Sequence, residues 1–309
     1  MNNFSYTKSQ TLIDQVQKID ELRNKNLLTL LPPAVELQLQ WKAMKERYRY
    51  TVLPYGLVPS EKSLENLFVV NQGKKESDAV VLVRRYKKIH DYILQNWPLH
   101  KAHLKADDVD HILKLSQFHA RIDLNSLSRY LQYVQINPEH PVIQAALIHI
   151  LFLSLVSVNE ESKTIARHLS MLLLVKYGYD IKQLVVLEKI FVNNAEKMNE
   201  IIIKYSRSQN ATEWIEYFIE KYYVQLEEIE KQMQQVDESK LLSSFAQLSQ
   251  RQKEILSLID KPEMKITNKV VQKTFGISQI TASRDLTKLA ELGLLFAGGK
   301  GRSVYYTKV

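Results

Sequence analysis

The sequence predicts a mainly α-helical protein in which a large helical domain precedes a small domain that also carries a β-hairpin. Helical periodicity runs through most of the first 235 residues, and no strand-like alternation persists there. Glycine is scarce, with eight residues in 309. The segment 240–309 instead combines helices, a turn and a glycine-containing tip between two apolar stretches.

The length of 309 residues suits two domains, because domains usually hold about 100 to 200 residues. Pro32 and Pro33 follow the apolar run NLLTLL and predict a helix end and an extended start to the next segment. Four helical segments come next: LQLQWKAMKERYRY, DAVVLVRRYKKIHDYIL, DDVDHILKLSQFHA and NSLSRYLQYVQ. A long amphipathic helix is expected from Thr212 to about Gln235. The polar segment QVDESK then predicts the boundary between domains 1–235 and 240–309.

Two strongly apolar segments, 140–155 and 168–179, predict buried helices joined by a polar hinge at 156–167. The first is interrupted by polar residues and is short for a membrane span, which needs about 20 apolar residues. No secretory signal peptide is expected from the polar N-terminus. The absence of cysteine excludes disulfides, thiolate metal sites and a cysteine nucleophile. We therefore expect a cytoplasmic protein without a membrane partner.

The positive charge is concentrated at the C-terminus. Residues 241–309 contain eleven Lys or Arg against five Asp or Glu, a net +6 that leaves +2 of the total +8 for the rest. A basic excess of this kind indicates a polyanionic partner for the small domain.

The small domain has the element order of a winged helix-turn-helix. A capped amphipathic helix is predicted at 248–259, and two helices at 266–295 surround the turn Phe275 to Ser278. A short apolar strand, the tip Gly298 to Gly301 and a second alternating strand follow. This arrangement is typical of DNA-binding domains.

The helix after Ser278 carries the predicted DNA contacts. Ser278 is a good N-cap, and the inward face holds Ala282, Leu286, Leu289 and Gly293. The expected contacts to base edges and phosphates lie on the outward stripe, at the helix start and in the wing, at Gln279, Thr281, Arg284, Lys288, Lys300 and Arg302. The alternative is that these charges only solvate the domain. The combination of turn, glycine tip and clustered charge favours binding of double-stranded DNA, and the phrase TASRDLTKLAELGLL followed by GKGRSVYY resembles the winged helix of many bacterial regulators.

The segment from His140 to Tyr179 resembles the core of the Fic family, whose members typically transfer AMP from ATP to a protein hydroxyl. The family signature H-P-F-x-[D/E]-G-N-G-R-x-x-R falls without a gap on Val156 to Arg167, between the frames HPVIQAALIHILF and LSMLLLVKYGY. The resemblance covers about residues 26–230. It implies a Fic-like helical domain followed by the winged helix.

The departures from the signature remove its chemistry. Val156 replaces the histidine that acts as general base, while Glu160 retains the acidic metal-binding position. Glu161, Ser162 and Lys163 replace the glycines and asparagine that wrap the phosphates, Thr164 replaces the first arginine, and Arg167 keeps the last. Loss of a general base alone typically costs about a hundred- to ten-thousand-fold in rate. We therefore expect no enzyme activity, no cofactor and no nucleotide binding.

Two further features of the family were compared with the sequence. Glu65 and Asn66 match the end of the family's inhibitory-helix pattern, which leads to the hypothesis that Glu65 pairs with Arg167. Neutral solvation of both residues is the alternative. The segment HARIDL at 119–124 leaves little room for the family's β-hairpin flap. His149 is interpreted as a hydrogen-bonded structural residue, because no histidine and carboxylate set has metal-ligand spacing.

Three functions follow as hypotheses. The first is a sequence-specific DNA-binding regulator in which a degenerate Fic-like domain acts as scaffold, dimeriser or sensor. The second is a divergent nucleotide-dependent AMP-transferase that uses Glu160, Glu161 or Lys163. The third is an adaptor whose winged helix docks a protein. A homodimer is left open.

Overall fold

The computed structural model describes residues 4–60, 64, 77–118, 120, 122–136, 139–235, 248–259, 264–292, 294–298 and 304–308. The helices of the N-terminal part are α1 (Gln10–Leu28), α2 (Pro33–Val52), α3 (Asp78–Asn96), α4 (Ala106–Ser116), α5 (Leu124–Ile136), α6 (Pro141–Leu153), α7 (Glu160–Lys176), α8 (Leu187–Asn193), α9 (Ala195–Ser208) and α10 (Thr212–Gln234). The predicted end of α1 before the prolines is confirmed, and the backbone is extended at Thr29 and Pro32.

Helices α6 and α7 form the centre of this part. Every residue of α6 from Val142 to Leu153 is buried, and so is every residue of α7 from Ser162 to Lys176. The predicted hinge at 156–167 is wrong in its extent, because α7 already begins at Glu160. Polar residues fit inside this helix because they bond locally, as where the Thr164 hydroxyl donates to the Glu160 carbonyl at 2.7 Å.

Helix α10 packs on α1 and α6, as its amphipathic pattern predicts. The Trp214 indole N–H donates to the Ala146 carbonyl at 2.8 Å and is fully enclosed. Beside it, the His149 ring lies 4.7 Å from the Trp214 ring, and its Nδ1 lies 3.1 Å from the Ser170 hydroxyl. Because Ser170 donates its own proton to the Ala145 carbonyl, it accepts the His149 N–H. His149 is therefore a buried, hydrogen-bonded structural residue, as predicted.

The C-terminal part contains α11 (Gln250–Ser257), β1 (Lys265–Thr267), α12 (Asn268–Phe275), α13 (Gln279–Glu291), β2 (Leu295–Gly298) and β3 (Tyr305–Lys308). The sheet has the antiparallel order β1-β3-β2, with Ile266 opposite Tyr306. The two predicted wing strands are confirmed. The expectation of helix from residue 266 is wrong, because 265–267 pair with a strand near the chain end.

Separate apolar clusters stabilise the two parts. The C-terminal cluster draws all its buried residues from Leu248 to Tyr306, while the largest cluster lies between Leu12 and Met233. The predicted boundary at 235–240 falls almost wholly on residues outside those described. The parts meet where the Gln38 side-chain amide donates to the Leu292 carbonyl at 3.1 Å. Among the described helices, none is long and apolar enough to cross a bilayer.

Burial of histidine predicts acid sensitivity. Burial lowers the pKa of His90, His149 and His168 below the usual value. The unfolded chain thus binds protons at these rings at a higher pH than the folded protein, so the free energy of unfolding falls as pH drops below about 6.5. Each ring contributes up to about 1.4 kcal/mol per pH unit.

The test is urea unfolding between pH 7.5 and 5.5. We expect His149→Gln to reduce this pH dependence, whereas the same change at the exposed His103 should leave it as in the wild type. An unchanged pH dependence in His149→Gln would contradict the assignment.

Candidate nucleic-acid interface

Helix α13 is oriented by its cap and its inner face. The Ser278 hydroxyl accepts from the Thr281 backbone N–H at 3.3 Å, and the preceding Gly276 has φ 61°, a conformation that glycine adopts without strain. Ala282, Leu286 and Leu289 are fully buried, as predicted. Gly293, the fourth predicted member of that face, lies outside the described residues.

A buried carboxylate fixes α13 to α11. Asp285 is 5% exposed, and its two oxygens accept from the Arg251 Nε and the Gln252 amide, each at 2.7 Å. Sequence analysis missed this network, because the partners are more than 30 residues apart along the chain. The network determines how the outer face of α13 is presented.

The outer face of α13 borders a shallow concavity of about 660 Å³. Its lining residues are Gln279, Ile280, Ser283, Arg284, Thr287, Lys288 and Glu291. The structure thus brings together three of the predicted contacts, Gln279, Arg284 and Lys288. Arg284 and Gln279 are exposed and Lys288 is half-buried. This arrangement presents a guanidinium, an ammonium and an amide to one partner.

The remaining predicted contacts differ in their placement. Thr281 does not line the concavity, and its hydroxyl lies 2.9 Å from the Ser278 hydroxyl, so it takes part in the helix cap. Lys300 and Arg302 of the predicted wing lie outside the described residues. Ile280, which sequence analysis passed over, is 66% exposed beside Arg284. Its position four residues before Arg284 could have placed it on the same helix face in the sequence.

In the junction that aligns with the Fic signature, side chains of the junction itself cap the start of α7. The Asn159 carboxamide oxygen accepts from the Ser162 N–H, and the Ser162 hydroxyl accepts from the Asn159 N–H, both at 2.9 Å. Glu160 and Glu161 place two carboxylates in the first turn of α7. Negative side chains therefore already occupy the positive end of this helix, where an anion would otherwise bind.

The other signature positions are also engaged in packing. Glu160 pairs with Lys163 at 2.8 Å, and Glu161 pairs with Arg85. Val156 is half-buried and packs against the main core. Its side chain has no atom that can accept a proton.

Arg167 lies in a buried polar cluster. It is 1% exposed and donates from a terminal nitrogen to the Thr164 hydroxyl at 2.7 Å. Burial lowers the pKa of Arg167, and the charge of Glu188 opposes that effect. Glu188 also lies 3.8 Å from the equally buried Arg47. The hypothesised partner Glu65, with Asn66, lies outside the described residues, so that pairing stays a prediction.

Comparisons with known proteins support the folds described for the two parts of the chain. Residues 251–301 match the family of DeoR-like helix-turn-helix domains. A crystal structure of a Fic family protein from Desulfovibrio desulfuricans G20 matches with a TM-score of 0.59 and 12% sequence identity, over 99% of this chain and 98% of that one. The chain has the fold of a Fic family protein and ends in a DeoR-like helix-turn-helix domain. No match was found among curated proteins.

The predicted fold class is thereby confirmed. The similar structure aligns with both parts of the chain, over nearly its whole length. At this identity the likeness concerns the fold. Within the described residues, no cluster of three or more potential metal-binding side chains occurs.

Removal of the buried carboxylate should loosen the DNA-binding domain. Asp285→Ala leaves Gln252 and Arg251 without their acceptor, and hydrogen bonds to a charged group typically contribute about 1.5 to 3 kcal/mol. We expect a destabilisation of this order in urea unfolding followed by circular dichroism. The exposed Glu254→Ala, on the same helix as Arg251, is the matched control. Equal stability of the two variants would contradict the role of Asp285.

Proposed function

We propose that this protein is a sequence-specific DNA-binding transcriptional regulator whose Fic-like domain has lost AMP-transferase activity. The observation that carries the proposal is the exposed outer face of α13, where Gln279, Arg284 and Lys288 line one concavity. The face belongs to a folded winged helix that matches DeoR-like domains.

The chemistry of this face suits the major groove of DNA. A guanidinium can donate two hydrogen bonds to the edge of guanine, and a glutamine side chain can pair with the edge of adenine. The net charge of +6 over residues 241–309 adds attraction to phosphates. Base contacts supply specificity, while phosphate contacts supply affinity and orientation.

Arg284 and Lys300 should affect binding in different ways. We expect Arg284→Ala to cost about 1 to 3 kcal/mol at cognate sites and little at unrelated DNA. Lys300→Ala should weaken binding to all sequences and lower the slope of log K against log salt by roughly 1. Fluorescence anisotropy with cognate and scrambled duplexes at several salt concentrations separates the two effects.

An equal loss at every sequence in Arg284→Ala would contradict its assignment as a base-reading residue. The exposed Lys253→Ala, on α11 in the same domain, serves as a control for a simple change in net charge.

Three observations support the loss of catalysis. Val156 cannot act as a base, the N-terminus of α7 is capped by Asn159 and Ser162, and two carboxylates occupy its first turn. Together they leave no base at the position of the family's histidine and no unoccupied cradle for phosphates in this junction. The fold then serves as scaffold, dimeriser or sensor for the DNA-binding domain.

Radiolabelled ATP tests this part of the proposal. We expect neither the wild type nor Val156→His to label itself or any protein in a cell extract, because restoring a base does not restore the phosphate cradle. Equilibrium dialysis should detect no ATP binding at millimolar concentration. Transfer of label by the wild type would establish the divergent transferase instead.

A further inference from the structure

A cleft of about 610 Å³ lies between α2 and the winged helix. The α2 wall is formed by Gln38, Trp41, Lys42 and Lys45, and the facing walls by Thr287, Ala290, Glu291, Leu292, Ala297 and Tyr306. Gln38 and Leu292, from opposite walls, are joined by the hydrogen bond described above. The cleft is therefore bounded by α2 of the Fic-like part on one side and by α13 and the sheet on the other.

This cleft is continuous with the outer face of α13. Thr287 and Glu291 line both the cleft and the concavity that contains Arg284. If α13 enters the major groove, a phosphate strand lies along each edge of that groove. The α2 wall faces α13 across the cleft, and so lies on one side of the helix that would enter the groove.

The α2 wall carries the charge that such a strand requires. Lys42 and Lys45 are three residues apart and share one face of the helix. Lys42 is exposed, and the Lys45 ammonium lies 5.8 Å from the centre of the Trp41 ring. Glu291 is on the opposite wall, so the positive charge of the cleft lies on the α2 side.

We propose that α2 is a second DNA-contacting element, in which Lys42 and Lys45 bind backbone phosphates beside the site read by α13. This inference rests on the proposed function. It makes the Fic-like domain part of the DNA-binding surface and couples the position of α2 to DNA affinity.

The test compares the full-length wild type with the Lys42→Ala/Lys45→Ala double variant. Both proteins are titrated with one duplex that carries the cognate site, here called the selected duplex, and with its scrambled form. We expect roughly tenfold weaker binding to both duplexes at 150 mM salt, and a salt slope lower by about 1.8, the value for two phosphate contacts. Lys42→Arg/Lys45→Arg should retain wild-type binding. Lys18→Ala/Lys101→Ala, which removes two exposed lysines outside the cleft, is the control of equal charge.

The outcomes distinguish a wrong assignment of α2 from a wrong assignment of DNA binding. Affinity and salt slope equal to those of the control would overturn the α2 contact while DNA binding itself stands. A loss confined to the selected duplex, or a loss without a change in slope, would also overturn it. Failure of the wild type to bind any duplex would refute the proposed function instead. Thermal unfolding verifies that the variants are folded.

A second, independent observation concerns Ile280. This apolar side chain is 66% exposed in the first turn of α13, in the concavity that also holds Gln279 and Arg284. Ile280 lies four residues before Arg284, on the face of α13 that would enter the major groove under the proposed function. In the major groove, the apolar feature available to it is the 5-methyl group of thymine.

We infer that Ile280 is a specificity-determining residue that packs on a thymine methyl group. The inference also rests on the proposed function. In the selected duplex, each thymine is replaced in turn by uracil, which lacks only the methyl group. We expect one position to lose about fourfold in affinity, the factor for one buried methyl group.

Ile280→Ala should abolish that sensitivity, whereas the matched change at the exposed Val270 of α12 should preserve it. A site without any methyl-sensitive thymine would overturn the inference. So would sensitivity that survives in Ile280→Ala. Neither result would affect the evidence for DNA binding itself.

Discussion

The packing of α6 against α7 is the constraint on which the rest of the structure depends. Both helices are buried along almost their whole length, so most polar groups on them need a partner inside the protein. Ser170 meets this requirement by linking His149 to the Ala145 carbonyl. Trp214 of α10 adds a third contact through the Ala146 carbonyl. Helix α6 is thus tied to α7 on one side and to α10 on the other.

This constraint explains why the junction before α7 is short and capped. The chain must turn from α6 into α7 within the residues 154–159, and the first turn of α7 must be capped. Asn159 and Ser162 provide the cap from within the protein. We interpret the junction as an architectural element in which protein side chains fill the role that a bound phosphate would have.

Buried charged side chains also stabilise the surroundings of α7. Arg47 and Arg167 are nearly inaccessible, and Glu188 is the buried carboxylate near them. An unpaired buried charge would destabilise the fold strongly, so the Glu188 carboxylate offsets part of that cost. Arg167 therefore has a structural role in the core, in addition to matching the last arginine of the signature.

Much of the helical fold could be predicted from sequence, because amphipathic periodicity extends over many residues in α3, α5 and α10. The start of α7 could not, since Glu160 to Lys163 resemble a loop until their hydrogen bonds are known. Strand β1 has three residues, too few for a periodic signal, and its partner β3 is distant in sequence. The Asp285 network and the α2 wall likewise depend on tertiary contacts that no local pattern reports. For the candidate site, the stripe around Arg284 was predictable, whereas the capping role of Thr281 and the exposure of Ile280 emerged only from the folded helix.

The central claim is that α13 reads a DNA sequence, and selection of bound fragments from sheared genomic DNA tests it most directly. The purified full-length protein would be used at about 150 mM salt, where exposed charges are well screened. We expect one recurrent motif, whose half-site spacing reports whether two copies bind together, and loss of that enrichment in Arg284→Ala. Recovery of no DNA above background, or of fragments without a shared motif, would contradict it.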